Sequence, residues 1–106
     1  MFTGHEDQEI SFEDGAVLTK RWRTANPTAR LAGYFSKDAI NKLLEQTDNV
    51  GVRIYYAKES GGEMTMVVVG VTSDGNDQIG ENDVCLDQAM PCPDYCGEHN
   101  LLNSDE

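Results

Sequence analysis

Three cysteines and a histidine fall close together near the C-terminus: Cys85, Cys92, Cys96 and His99. Their spacing is C-x6-C-x3-C-x2-H, and four such ligands could close a tetrahedral Cys3His zinc site. The match is partial. Structural zinc sites rely on paired C-x(2–4)-C knuckles, whereas this stretch has one knuckle and two single ligands. The gap between Cys96 and His99 is also shorter than the usual x3–5 before a histidine ligand. A redox pair fits less well. Thioredoxin-type chemistry uses C-x-x-C at a helix N-terminus, where the dipole lowers the first thiol's pKa. Here three residues intervene, and Pro93 opens a loop. Two readings remain side by side: a Cys92–Cys96 disulfide, or two packed thiols. Either makes the segment PCPDYCGEH a stapled or packed tail loop rather than a catalytic centre.

A second group of oxygen donors lies in DGNDQIGEND, residues 74–83. An EF-hand needs oxygens at positions 1, 3 and 5 and glycine at 6. Counting from Asp74, these positions hold Asn76, Gln78 and Ile79, so the glycine is missing. The stretch reads as an Asx-turn loop, with an irregular calcium site as the alternative. Arg53 shares a strand face with Tyr55; if that face is covered, the guanidinium needs a carboxylate, which Asp77 or Glu63 would supply. His5 and His99 both lie in flanking segments. No Ser–His–Asp or Cys–His set or Gly-rich phosphate loop can be assembled. A hydrolase-like enzyme is disfavoured, because general bases and nucleophiles are scarce.

The elements that would position these residues are legible in part. Ser11 with Asp14 is a helix start signal. Leu18, Trp22 and Ala25 then share one helix face as core candidates, and Pro27 ends the helix near Asn26. Residues 31–35 are a short extended lead-in. Ser36 caps a second helix over residues 37–46, with Ile40, Leu43 and Leu44 on one face and Asp38 in the first turn. Residues 52–57 form a strand, with Val52, Ile54 and Tyr56 on one side. KESGGE is a hairpin loop. Residues 64–72 are apolar on both faces, as in a central strand, and Gly70 within it signals a bulge or a close backbone approach. Residues 84–86 suit a short edge strand. Residues 1–9 are polar and loose. From Met90 onward, Pro91 and Pro93 forbid a helix and any central strand. The tail over 90–106 is then irregular and laid on the surface, with Leu101 and Leu102 packed onto the core. The prediction is one α+β domain over 1–106: two helices packed on a small antiparallel sheet.

Charge restricts the partners. The 106 residues carry a net charge of −11. Residues 1–58 hold eight basic and eight acidic side chains, whereas residues 59–106 hold eleven acidic ones and no Lys or Arg. Phosphate backbones and anionic membranes would repel that half, which argues against nucleic-acid and membrane partners and for a protein partner with a basic surface. No apolar run approaches the roughly 18 residues of a membrane span. The N-terminus, MFTGHEDQEI, lacks the apolar region of a secretory signal, so a cytoplasmic protein is expected.

The phrases GYFSKDAI (33–40), GVRIYYA (51–57), VVVGVTSDGND (67–77) and PCPDYC…NLLNS (91–104) occur in this order. Together they resemble a family of small uncharacterised bacterial proteins of about this length, over residues 33–104. That family has no assigned activity, so the resemblance supplies no catalytic residues. It implies that the Cys92–Cys96 segment is integral to the domain, and that Cys85 and His99 lie outside the shared pattern. The functional expectation is a non-enzymatic interaction module with an acidic docking surface. The alternative is a small zinc protein using Cys85, Cys92, Cys96 and His99.

Overall fold

The computed structural model describes residues 1–105. Among them the elements run α1 (Phe12–Ala25), β1 (Ala32–Tyr34), α2 (Lys37–Leu44), β2 (Asn49–Lys58), β3 (Met64–Thr72), β4 (Cys85–Leu86) and β5 (Met90–Cys92). The fold is α+β with antiparallel sheets. The chain divides into two compact units. The first comprises residues 1–7 and 35–89, the second residues 8–34 and the segment from Met90 onward.

The first unit is built on the sheet β2-β3-β4, with β3 in the centre. Arg53 pairs with Val69 and Ile54 with Val68 along an antiparallel register. The hairpin between them closes through Glu59 N–H donating to Glu63 O (2.8 Å) and Gly62 N–H to Glu59 O (2.8 Å). Val68 and Val69 point to opposite faces and are 1% and 5% exposed, as expected of a central strand apolar on both faces. The Ser36 hydroxyl caps α2 by accepting from Ala39 N–H (3.1 Å). α2 packs on β2 and β3, and Leu43 is fully buried. The helix stops at Leu44, short of residue 46, because a turn follows in which Gln46 N–H donates to Leu43 O (3.3 Å) and Asn49 N–H to Gln46 O (3.1 Å). Residues 1–7, expected to be loose, are held instead. Phe2 N–H donates to Ser73 O (2.7 Å), and the Glu6 carboxylate accepts from Thr3 N–H (2.8 Å) and Gly4 N–H (3.0 Å).

A polar side chain lies at the heart of this unit. Gln78 is buried, and its Oε1 accepts from Asn49 Nδ2 (2.8 Å) and Gln46 Nε2 (3.1 Å). Its Nε2 donates to Thr47 O (2.8 Å), and its backbone N–H donates to Gly70 O (2.8 Å). Gln46 Oε1 in turn accepts from Val84 N–H (2.7 Å). These amides sit on the backbone of β3 at Gly70. A Cβ there would come within 2.3 Å of Gln78 Oε1 and 2.5 Å of Gln46 Nε2. The mid-strand glycine therefore marks a close approach, of side chains onto the strand.

In the second unit, the Ser11 hydroxyl caps α1 by accepting from Asp14 N–H (3.0 Å), and Asn26 N–H closes its end on Trp22 O (2.8 Å). The sequence reading placed both helices on one sheet and Leu18 with Trp22 in the core. The structure puts α1 in this unit, which has its own two-stranded sheet of β1 and β5. Leu18 is 55% exposed, and α1 buries none of its residues fully. Trp22 is half-buried and donates through Nε1 to Arg30 O (2.8 Å). The tail, expected to be wholly irregular, contributes the strand β5.

Replacing Gly70 with Ala should displace the Gln78 amide from β3 and lower stability by about 3 kcal/mol, the upper end of overpacking costs. Urea denaturation reads this directly, and an unchanged midpoint would show that the cluster yields at no cost.

Candidate binding groove

The second unit shapes the segment that carries Cys92 and Cys96. β1 and β5 pair antiparallel with Ala32 opposite Cys92, Gly33 opposite Pro91 and Tyr34 opposite Met90. Both strands are edges, so the missing N–H of Pro91 costs the ladder little. Leu31 N–H extends the pairing to Cys92 O (2.7 Å), and Tyr95 N–H turns the chain back onto Pro91 O (2.8 Å). The turn brings the Cα atoms of Cys92 and Cys96 to 4.7 Å, and the two residues form a disulfide. Cys92 is buried and Cys96 exposed. The bridge ties the loop to the end of β5.

Leu101 and Leu102 do not do this work. They are 53% and 41% exposed, which corrects the expectation that they pack onto a core. The reason is local. Asn100 and Asn103 organise a turn: Asn100 N–H donates to Asn103 Oδ1 (2.9 Å) and Leu102 N–H to Asn100 Oδ1 (2.8 Å). Arg23 then anchors the turn to α1, donating to Leu102 O (2.9 Å) and pairing with Asp105 (2.6 Å). The guanidinium holds the Asp105 carboxyl below its usual range.

Between these pieces lies an open groove of about 330 Å³. Leu31, Tyr34, Met90, Tyr95 and Leu102 make it predominantly apolar, while Thr19, Asn100 and Asn103 offer hydrogen bonds. The loop forming one wall carries two exposed carboxylates, Asp94 and Glu98, beside Tyr95 and Gly97. Such a surface can take an apolar side chain flanked by positive charge. The sequence reading missed the groove; its one signal was the pair of tyrosines at 34 and 95, in segments that offered no core for them to join.

The other candidates are distributed elsewhere. Cys85 is an exposed free thiol on β4 of the first unit, while Cys92, Cys96 and His99 belong to the second. The sulfurs of Cys92 and Cys96 are bonded to each other and are not thiolate ligands. Among the described residues, no three His, Cys, Asp or Glu side chains gather in a metal-holding arrangement. The oxygens of residues 74–83 turn to separate partners. Asp74 accepts from the Thr72 hydroxyl and from Asn76 Nδ2 (3.2 Å), Gln78 points inward, and Asp83 accepts from Gly80 N–H (2.8 Å).

Arg53 does meet a carboxylate, and it is that of Asp77 (2.5 Å) rather than Glu63. Arg53 also donates to Gly75 O (3.2 Å), and the Tyr55 hydroxyl donates to the other Asp77 oxygen. The Tyr55 hydrogen bond first, and Arg53 second, hold the Asp77 carboxyl below its usual range. With its three side chains engaged mutually, this cluster braces the loop after β3 against β2.

Comparison with protein-family models, with curated proteins and with solved structures finds no match.

Two outcomes follow. Because the folded-state pKa of Asp77 is depressed, its contribution to stability is complete above the ordinary carboxylate pKa, about 3.9. It is lost as pH falls through the depressed value. Asp77→Asn should therefore flatten the acid side of the melting temperature profile, and a profile parallel to the parent's would contradict the brace. Cys92→Ser with Cys96→Ser should lower stability by about 1–3 kcal/mol, as for a short cross-linked loop. A chelator should leave the melting curve unchanged, and unfolding by chelator alone would restore the zinc reading.

Proposed function

We propose that this chain is a non-enzymatic interaction module that docks a protein partner with a basic surface. The observation that carries the reading is the apolar groove whose wall loop bears Asp94 and Glu98, in a stretch of chain without a single Lys or Arg after Lys58. An apolar side chain of the partner fills the groove. Flanking Lys or Arg residues face the carboxylates, which steer the encounter and fix orientation. The apolar contact supplies the main share of the affinity.

Among the described residues, no helix is long and apolar enough to cross a membrane. The negative field of the acidic half supports a protein rather than a nucleic acid as the partner. A lasting Cys92–Cys96 bridge suits an oxidising compartment, so the cytoplasmic placement goes with the form in which both thiols are free.

The reading is tested with a fluorescent Lys-rich peptide carrying one Leu or Phe, titrated against the intact protein. Association should slow steeply as salt rises from low to physiological levels. Asp94→Lys with Glu98→Lys should weaken binding about tenfold or more, the scale of losing 1.4 kcal/mol. Tyr95→Ala should weaken it at every salt concentration. Salt-independent binding, or binding indifferent to all three changes, would overturn the assignment.

A further inference from the structure

The groove is shaped by a covalent bond that thiol chemistry can undo. Cys92 and Cys96 both line it, and the chain between and after them supplies Tyr95 and Gly97 as its wall. The segments on either side of this wall are held without the bridge. Before it, Cys92 is buried and paired with Ala32 in the ladder of β1 and β5. After it, the Glu98 carbonyl accepts from Asn103 Nδ2 (3.0 Å) and Asn100 Nδ2 (3.2 Å), and Arg23 anchors the following turn through Leu102 O and Asp105. The span between these anchors is different. Pro93, Asp94 and Tyr95 are exposed, so burial offsets little of the entropy lost in ordering them. Two links fold the span back over the groove: the Cys92–Cys96 bond, and Tyr95 N–H donating to Pro91 O (2.8 Å). One hydrogen bond in reach of water contributes too little to fix a five-residue span alone.

We propose that the Cys92–Cys96 bridge is a redox gate on the groove. With the bridge closed, the wall stands and a basic partner docks. With both thiols free, residues 93–97 leave the groove and docking weakens, while the rest of the unit keeps its fold. The gate rests on the groove being the docking site proposed above. Its reductant is a small-molecule thiol, and the exposed Cys96 is the side that such a thiol reaches, since Cys92 is buried. The reductant's thiolate attacks the Cys96 sulfur, the bridge breaks, and the Cys92 thiolate leaves and takes up a proton. A second thiolate attacks the outer sulfur of the mixed disulfide. The reductant departs as its own disulfide, and Cys96 takes up a proton. Two thiols are oxidised to one disulfide as the bridge is reduced to two thiols. A small-molecule disulfide runs the same steps backwards.

The test uses the full chain with Cys85→Ser, which removes the exposed free thiol of the first unit. After treatment with oxidised glutathione, a thiol-reactive dye should find neither Cys92 nor Cys96, and after dithiothreitol it should find both. A fluorescent, cysteine-free Lys-rich peptide carrying one Leu should bind the oxidised form. Reduction should raise its Kd about tenfold, as when the standing wall is populated about a tenth of the time. Re-oxidation should restore the affinity. Cys92→Ser with Cys96→Ser should bind like the reduced form and ignore dithiothreitol. Hydrogen exchange reads the loop itself. Reduction should speed exchange of the Tyr95 amide and leave unchanged the Leu31 amide and the Trp22 indole, which donate to Cys92 O and Arg30 O. Equal affinity of the two forms, or tighter binding after reduction, overturns the gate and leaves the docking reading standing. An oxidised form that binds no peptide overturns the docking reading and the gate with it. Exchange that also quickens at Leu31 and Trp22 overturns the local opening, because the whole unit then unfolds.

Discussion

The carboxamide of Gln78 is the group on which the first unit depends. A buried amide left without partners would cost about 1–3 kcal/mol, and this one has every partner it needs. Through Asn49, Gln46 and the Thr47 carbonyl it joins the start of β2 and the end of α2 to the loop after β3. Gln46 passes the connection on to the approach to β4 by accepting from Val84 N–H. One polar side chain thus ties together segments that apolar packing alone would leave free to slide. The condition for it is a bare backbone at position 70, since a side chain there would occupy the space of the amides. Residue 70 is a glycine within an otherwise β-branched strand for this reason, despite the entropy that glycine costs a strand.

That constraint sets the geometry of the neighbouring face. With Gln78 fixed inward, the preceding residue, Asp77, projects to the opposite side of the sheet and receives Arg53 and Tyr55. The ion pair is partly exposed to solvent, so Coulomb attraction alone would stabilise little. Its value lies in the shared carboxylate, which joins two residues of β2 to the loop. The first unit also concentrates charge, with Lys37, Lys42, Arg53 and Lys58 set against twelve carboxylates. Its acidity is greater than that of the second unit, where the groove lies.

Much of this was legible in the sequence where a single residue type has a single local use. Ser11 and Ser36 cap helices because their hydroxyls accept from the backbone three residues on. The run MTMVVVGVT leaves no polar face for solvent, and β3 is buried on both sides. Arg53 needed a carboxylate, and one of the two anticipated acids provides it. What stayed hidden depends on distant partners. Gln78 sits in a stretch of Asp, Asn and Gly that reads as solvated turn, and nothing local distinguishes it from an exposed glutamine. Its partners lie some thirty residues upstream. The three-residue pairing of β1 with β5 is likewise too short for a period to show. Leu101 and Leu102 misled because apolarity predicts burial only when the chain can turn inward. Here Asn100 and Asn103 had already committed the backbone to a surface turn.

The account stands on the Gln78 amide being held and shielded, and hydrogen exchange of its side-chain Nε2 protons, followed by nitrogen-edited NMR, measures that directly. Gln88, which is exposed, supplies an internal reference on the same chain. The account predicts that the Gln78 side-chain protons exchange far more slowly than those of Gln88, and that Asn49→Ala brings the two rates closer. Equal rates in the unaltered protein would contradict it, because an amide open to solvent could not be the tie that joins α2, β2 and the loop after β3.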